Sequence, residues 1–457
     1  MTALWTSREA QDATLGSAAR DFSATGMSID TRTLKPGDLF VALKGDARDG
    51  HEFVARALEL KAAAALVSRS PDGVAAGAPL LTVAHTQRGL EDLGRASRAR
   101  SNAKIVAVTG SAGKTTTKEI LRVALGALGT THASAASYNN HWGVPFSLAS
   151  MPRDTQYGVF EVGMNHFGEI RALIDMVRPQ VAIVTTIAPA HLEFFGNADA
   201  IADAKSEIFE GIEAGGAALV PADIPQSARL LARAKQAAVS RVFRFGSEKG
   251  CEARLVSRSD TVEGARIKAD IFGQPVDAQI GAPGAHIAMN AVAALAATSL
   301  LGGDVFNAAA NLKTFAALKG RGARFSAAGI EIIDESYNAN PASMAAALSL
   351  LSTARGRRIA VLGDMLELGD ESKALHAGLA PEIERAKVDL VFASGPLMHA
   401  LWEALPASRR GAYAATSKEL EPQVGRALHQ GDTVLVKGSN GSKMSLIVDA
   451  LKARGAA

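Results

Sequence analysis

A chain of 457 residues is longer than one hydrophobic core organises, so two or three domains are expected. Lysine plus arginine, 49, against aspartate plus glutamate, 46, leaves a formal charge of +3, too slight an excess on this length to support a nucleic-acid surface. The single cysteine, Cys251, excludes an intrachain disulfide framework and a cysteine-built zinc or iron–sulfur site.

The opening "MTALWTSREAQDATLG" has no apolar signal core, and no later uncharged stretch reaches bilayer length, so a cytoplasmic protein without membrane insertion is expected. Over residues 1–87 the short apolar runs "DLFVAL", "AAALVS" and "PLLTVA" alternate with glycine and proline turns, which reads as a small α/β domain. The charged, helix-patterned "TQRGLEDLGRASRARSNA" follows as a connection, with a boundary within 86–103. Over 88–318 the strands "KIVAVT", "YGVFEV", "VAIVTT" and "AALVP" alternate with helical patterns, as in a mostly parallel sheet covered on both faces. "ARIKADIFGQPVDAQI" adds an antiparallel hairpin around a Gly-Gln-Pro turn, and alanine-rich helices close this central domain. Over 319–457 the runs "IEIIDE", "RIAVLGD", "DLVFASG" and "TVLVKGSNG" predict a third, Rossmann-like doubly wound domain. Ligands gather at the carboxyl ends of such strands, so Asp334, Asp364, Ser394 and Lys437 share one candidate rim.

Phosphate chemistry is written most plainly at "TGSAGKTT", between the run "KIVAV" and a helical pattern. Gly110 and Gly113 let backbone N–H groups converge on phosphate oxygens, and the helix amino terminus adds its dipole. Lys114 supplies a point charge, and Thr115 or Thr116 a hydroxyl for Mg²⁺. Val108 stands where the common P-loop pattern has its first glycine, so the rival reading is a chance Gly-Lys-Thr. A nucleoside triphosphate is the expected ligand.

Three polar residues come from three further elements. Glu161 ends a strand facing the phosphate loop and can hold Mg²⁺ directly or through water; as a lone residue it serves equally as a solvated strand end. His191, taken alone, fits a structural role. Lys205 shares the apolar helix face of Ile201, Ile208 and Phe209, where the ordinary reading is a snorkelling side chain. The sharper reading is a desolvated neutral amine that adds carbon dioxide to form a carbamate, an anionic metal ligand.

Together "TGSAGKTT", "SYNNHWGVP", "EVGMNHFGEI", "APAHLEFFG" and "AKSEIFEG" resemble the Mur ligases, ATP-dependent amide-forming enzymes of peptidoglycan precursor synthesis, in the family's three-domain order. "DESYNANPASM" and "LGDMLELG" look like the branch of that family that adds D-alanyl-D-alanine to a UDP-N-acetylmuramoyl tripeptide. The resemblance implies a uridine-nucleotide-binding first domain, a central P-loop ATPase domain, and a C-terminal ligase domain. It implies that Gly110, Ser111, Ala112, Gly113, Lys114, Thr115 and Thr116 cradle ATP, with Asn290, Arg321, Asp334 and Asn338 closing over the nucleotide. Catalytic roles fall to Lys114, Glu161, His191 and Lys205. Two Mg²⁺ ions are implied, on Thr115, Glu161, His191 and a carbamylated Lys205. Substrate contacts fall to Ser28, Asp30, Thr31, Arg32, Lys44, Asn139, Asn140 and Asn340.

Each assignment keeps a plainer rival. "NANP" is also good turn chemistry, "DTRTLKPGDLF" also reads as a surface turn before a strand, and Lys437 and Lys443 bind a substrate carboxylate or merely flank a glycine turn. The expected reaction joins a carboxylate to an amine through an acyl phosphate, in a monomer with small-molecule substrates only. The alternatives are another Mur-type amino acid ligase and, from a different class, a P-loop regulatory ATPase.

Overall fold

The structure, a computed structural model, describes every residue except 1, 46–47, 136, 190–191, 262–263 and 456–457. Its main sheets have five, nine and six strands in chain order, and a small ribbon pairs Trp5–Thr6 with Ser23–Ala24. The five-stranded sheet orders Ser17–Ala18, Leu80–Thr82, Ala64–Val67, Asp38–Val41 and Gly26–Ser28, parallel except at its first strand.

The nine-stranded sheet explains why its strands read as unbroken apolar runs. In Lys104–Thr109, Val106 and Val108 pack with Ile120, Leu121, Val292 and Leu295 on one face. Ile105 and Ala107 pack with Leu148, Leu173 and Ile208 on the other, so both sides of the strand are buried. The edge hairpin Ala265–Ile271 and Gln274–Ile280 instead alternates buried and exposed residues, because only one face meets the helix Ala285–Leu300. Its turn is Phe272–Gly273, both with positive φ (54° and 83°), and not Gly-Gln-Pro: Pro275 sits in the edge strand opposite Asp270. Sequence reading passed over Arg241–Gly246 and Ala253–Asp260, which join this sheet between Ala217–Pro221 and the hairpin. Arg241 and Arg244 interrupt the first, and Arg254, Ser257, Arg258, Ser259 and Asp260 crowd the second, which weakens the apolar signal.

The connection after residue 86 is no loose linker. It is the helix Thr86–Ala99, fastened to the nine-stranded sheet's helical layer by buried Arg98. That guanidinium donates to the carbonyls of Val177 and Arg178, both at 2.9 Å and both at the end of the helix Glu169–Val177, and to Glu213 at 2.7 Å.

The third sheet orders Ala323–Ala327, Ile330–Glu335, Thr433–Lys437, Arg358–Gly363, Leu390–Ser394 and Arg410–Ala414, parallel except at its first strand. Apolar clusters cover both of its faces. Asp334, Asp364, Ser394 and Lys437 do lie at neighbouring carboxyl ends, but they do not converge on one ligand. Asp364 is spent on the Met398 N–H at 2.7 Å, and of the four only Lys437 reaches the large cavity described below. Among the described residues no helix is long and apolar enough to cross a membrane.

Candidate active site

The strand Lys104–Thr109 has Tyr157–Glu161 on one side and Val181–Val184 on the other, so the chain order reverses at its carboxyl end and opens a crevice there. Into that crevice the chain turns through Gly110-Ser111-Ala112-Gly113 and enters the helix Lys114–Gly126. Gly110 has φ 149° and Gly113 φ 82°. A Cβ at Gly110 would stand 1.9 Å from Thr185 Oγ1, and one at Gly113 3.1 Å from the Asn290 amide, so glycine is what lets this backbone pass. The Thr185 hydroxyl donates to the Ala112 carbonyl at 2.5 Å and pins the turn. Lys114 Nζ donates to Gly110 O at 2.6 Å, and burial lowers its pKa, with Glu161 opposing and Arg321 adding to the shift.

Glu161, wholly buried at its strand end, accepts from Thr115 Oγ1 at 2.8 Å and from Asn139 Nδ2 at 2.7 Å. Lys205 lies in the helix Ala198–Ser206, 1 % exposed, with no hydrogen-bond or ion-pair partner among the described residues. Its pKa falls well below the usual lysine value, first through burial and then through the Lys114 charge, so the neutral amine is favoured. His191 lies outside the described residues. Among those described, no group of three His, Cys, Asp or Glu side chains gathers as a metal cage. Glu161 and Thr115 do present hard oxygen atoms beside the phosphate turn, which suits a divalent ion whose remaining ligands are phosphate oxygens and water. Among the described residues Ser111 Oγ and Asn290 Nδ2 are buried without partners, and their residues line the cavity in front of the turn. An anionic, hydrogen-bonding ligand such as a nucleotide would satisfy them.

That cavity, about 530 Å³, is walled by the phosphate turn, Asn139, Glu161 and Asn290 on one side. Arg321, Tyr337, Asn338, Asn340 and Lys437 form the other. The Arg321 guanidinium stacks 3.9 Å from the centre of the Tyr337 ring and donates to Ser137 Oγ at 3.2 Å. Asn338 accepts from the Ala339 N–H at 2.9 Å through Oδ1. Asn340 caps the helix Pro341–Leu351 by accepting from the Ser343 N–H, while its Nδ2 reaches Ser111 O at 3.3 Å. The residue expected at the substrate therefore also ties the third sheet's loop to the phosphate turn.

Asp334, expected at the nucleotide, lies behind the cavity wall. Fully buried, it accepts from the Gly320 N–H at 2.9 Å and from the Ser336 hydroxyl at 2.6 Å, and it is not part of the cavity wall. It stabilises the Arg321 and Tyr337 segments from behind. Asn140 is likewise used locally, accepting from the Gly143 N–H at 2.9 Å before the helix Gly143–Ala149. Ser28, Asp30, Thr31, Arg32 and Lys44 lie away from this cavity wall. Ser28 donates to Asp30 O at 2.9 Å, Asp30 chelates Arg32, and exposed Lys44 bridges to Asp49 through the backbone. Sequence reading missed Thr185, Tyr337 and His286. Thr185 left a signal as a polar residue at the carboxyl end of an apolar strand, and Tyr337 lies inside the string "DESYNANPASM".

Family models describe the same layout. Residues 108–298 match the Mur ligase middle domain, 320–440 the Mur ligase glutamate ligase domain, and 23–121 the Mur ligase family catalytic domain. The UDP-N-acetylmuramoyl-tripeptide--D-alanyl-D-alanine ligase of Rickettsia prowazekii is 32 % identical over 98 % of this chain and 99 % of its own. The chain belongs to the Mur ligase family. Another Mur ligase of the same description, from Escherichia coli, is 35 % identical over 95 % of both chains. Among solved Mur ligases, MurF from Acinetobacter baumannii superposes with a TM-score of 0.86 at 32 % identity, covering 98 % of this chain and 99 % of that one. MurF ligase from Thermotoga maritima, solved in complex with ADP, gives 0.78 at 25 % identity over 94 % and 97 %.

Proposed function

We propose that this chain is an ATP-dependent amide ligase that adds D-alanyl-D-alanine to a UDP-N-acetylmuramoyl tripeptide, releasing ADP and phosphate in the synthesis of the peptidoglycan precursor. The observation that carries this reading is the cavity between the second and third sheets. It sets a phosphate turn and Glu161 opposite Asn338, Asn340 and Lys437, in a chain whose relatives of that name match it nearly end to end.

A carboxylate is a poor acyl donor in water, and two anions must meet for it to be activated. The tripeptide carboxylate oxygen attacks the γ-phosphorus, the bond to the β-bridging oxygen breaks, and ADP leaves. The dipeptide amine then attacks the acyl carbon, its proton is lost, and inorganic phosphate departs. Lys114 and the N–H groups that open the helix Lys114–Gly126 stabilise charge on the transferred group, and Thr115 and Glu161 would hold Mg²⁺, which supplies further neutralisation. Burial of the site limits water at the acyl phosphate. The neutral amine favoured at Lys205 attacks carbon dioxide and loses a proton to give the carbamate, a second anionic oxygen donor.

Purified protein given ATP, Mg²⁺, the UDP-muramoyl tripeptide and D-alanyl-D-alanine should yield the pentapeptide by mass, with phosphate release requiring all components. Oxygen-18 in the tripeptide's terminal carboxyl should appear in the phosphate. Phosphate release independent of both acceptor and acid would overturn this reading in favour of a regulatory ATPase.

A further inference from the structure

Lys437 is a buried cation of the cavity wall to which the proposed chemistry gives no step. It ends the strand Thr433–Lys437, its side chain is 2 % exposed, and it lies directly across the sheet from Glu335. Nζ pairs with Glu335 Oε2 at 3.2 Å and donates to Asn338 O at 2.9 Å. Two residues on, Ser439 Oγ donates to Ala339 O at 3.3 Å and accepts from the Leu366 N–H at 2.9 Å. The carbonyls of two successive loop residues, Asn338 and Ala339, are thus both held by the segment Lys437-Gly438-Ser439. The next residue, Asn340, begins the helix Pro341–Leu351 and touches the phosphate turn at Ser111 O.

From this geometry we infer that Lys437 and Ser439 are positioning residues, which brace the loop 336–340 so that Asn340 is held against the phosphate turn, with Asn338 on the cavity wall, when nucleotide binds. The physical reason is the loop's own composition. Apart from the long 3.3 Å bond of Asn340 Nδ2 to Ser111 O, its asparagine side chains bond locally, Asn338 to the next N–H and Asn340 to its helix, so the segment itself holds Ser111 by one long bond. A charge-assisted bond from a rigid strand end supplies the further constraint. Lys437 acts through Asn340 and need not touch the nucleotide. The inference rests on the nucleotide occupying this cavity, and is independent of which amide is made.

Lys437→Met, Asn340→Ala and the double variant test it, with calorimetric affinity for a non-hydrolysable ATP analogue plus Mg²⁺ as the readout. Lys437→Met should weaken binding roughly 10-fold or more, the scale of one lost charge-assisted hydrogen bond, and Asn340→Ala, which loses neutral bonds, roughly several-fold. The double should be no weaker than the worse single, since both break one chain of contacts. Lys437→Arg should restore most of the loss. Ser439→Ala, which removes no charge, should give a several-fold loss, also non-additive with Asn340→Ala, and keeps the test decisive if Lys437→Met fails to fold. Additive losses, or unchanged affinity in Ser439→Ala and Lys437→Met, would overturn the positioning role. Wild-type protein that binds the analogue yet makes no pentapeptide would instead count against the proposed ligase reaction alone.

Discussion

Replacing Gly110 by alanine should disable the phosphate turn while leaving every charged group in place. The added methyl would stand 1.9 Å from Thr185 Oγ1, 3.1 Å from its Cβ and 3.2 Å from its backbone nitrogen, so Thr185 must rotate away or its strand must withdraw. Rotation breaks the 2.5 Å bond to Ala112 O, at a cost of about 1 kcal/mol. Forcing a side chain onto φ 149° adds about 1–3 kcal/mol of backbone strain. The sum, roughly 2–4 kcal/mol, should be divided between a lower urea midpoint, where the strained turn is kept, and lost nucleotide affinity, up to roughly 30-fold or more, where the turn relaxes out of its phosphate-binding shape. Thr185→Ala alone should lose only about 1 kcal/mol. Combined with Gly110→Ala it should cost less than the sum of the two, because the clashing oxygen is already gone. Full stability and affinity in Gly110→Ala, or strict additivity in the pair, would refute the steric reading of this turn.

Lys205→Ala should lose activity and partly regain it with short carboxylic acids that fill the vacated space, while added bicarbonate should stimulate wild type but not the variant; wild-type rates without additive would remove the metal-ligand role. Arg98→Met leaves two helix-end carbonyls and the half-exposed Glu213 without their cation, and a loss of about 2–3 kcal/mol is expected from urea unfolding. The Asp49 carboxyl is held well below the usual carboxylate range by the His51 backbone N–H and then by its side chain and Arg69. Its depressed folded pKa means that the contribution is complete above about pH 4, where the unfolded carboxyl is already ionised, and is lost as pH falls toward the folded value. Denaturation midpoints at pH 5 and pH 3 should therefore diverge more in wild type than in Asp49→Asn.

The glycine turn from strand to helix was legible because its geometry is local. Strand, two glycines, lysine and helix are consecutive in "KIVAVTGSAGKTT", and each acts where the chain puts it. Strands buried on both faces were legible for the same reason, whereas Arg241–Gly246 and Ala253–Asp260, interrupted by arginines, were not. Asp334 and Asn340 show the limit from the other direction. Both stand near the right place in the chain, yet a carboxylate can accept from its own backbone as readily as from a ligand, and only the fold shows Asp334 engaged with Gly320 and Ser336.

From the sequence alone came the three α/β units, the family, the glycine turn before a helix and the suspicion attached to a lysine on an apolar helix face. The tertiary structure decided what each polar side chain faces. It buried Lys205 without a partner among the described residues, set Thr185 beneath the turn, and brought Lys437 from a strand some hundred residues on to hold the loop that meets Ser111. Periodicity and turn chemistry are properties of neighbours along the chain and survive in one dimension. Hydrogen-bond partnership and desolvation depend on atoms brought together across the sheets, and no spacing in the sequence encodes them.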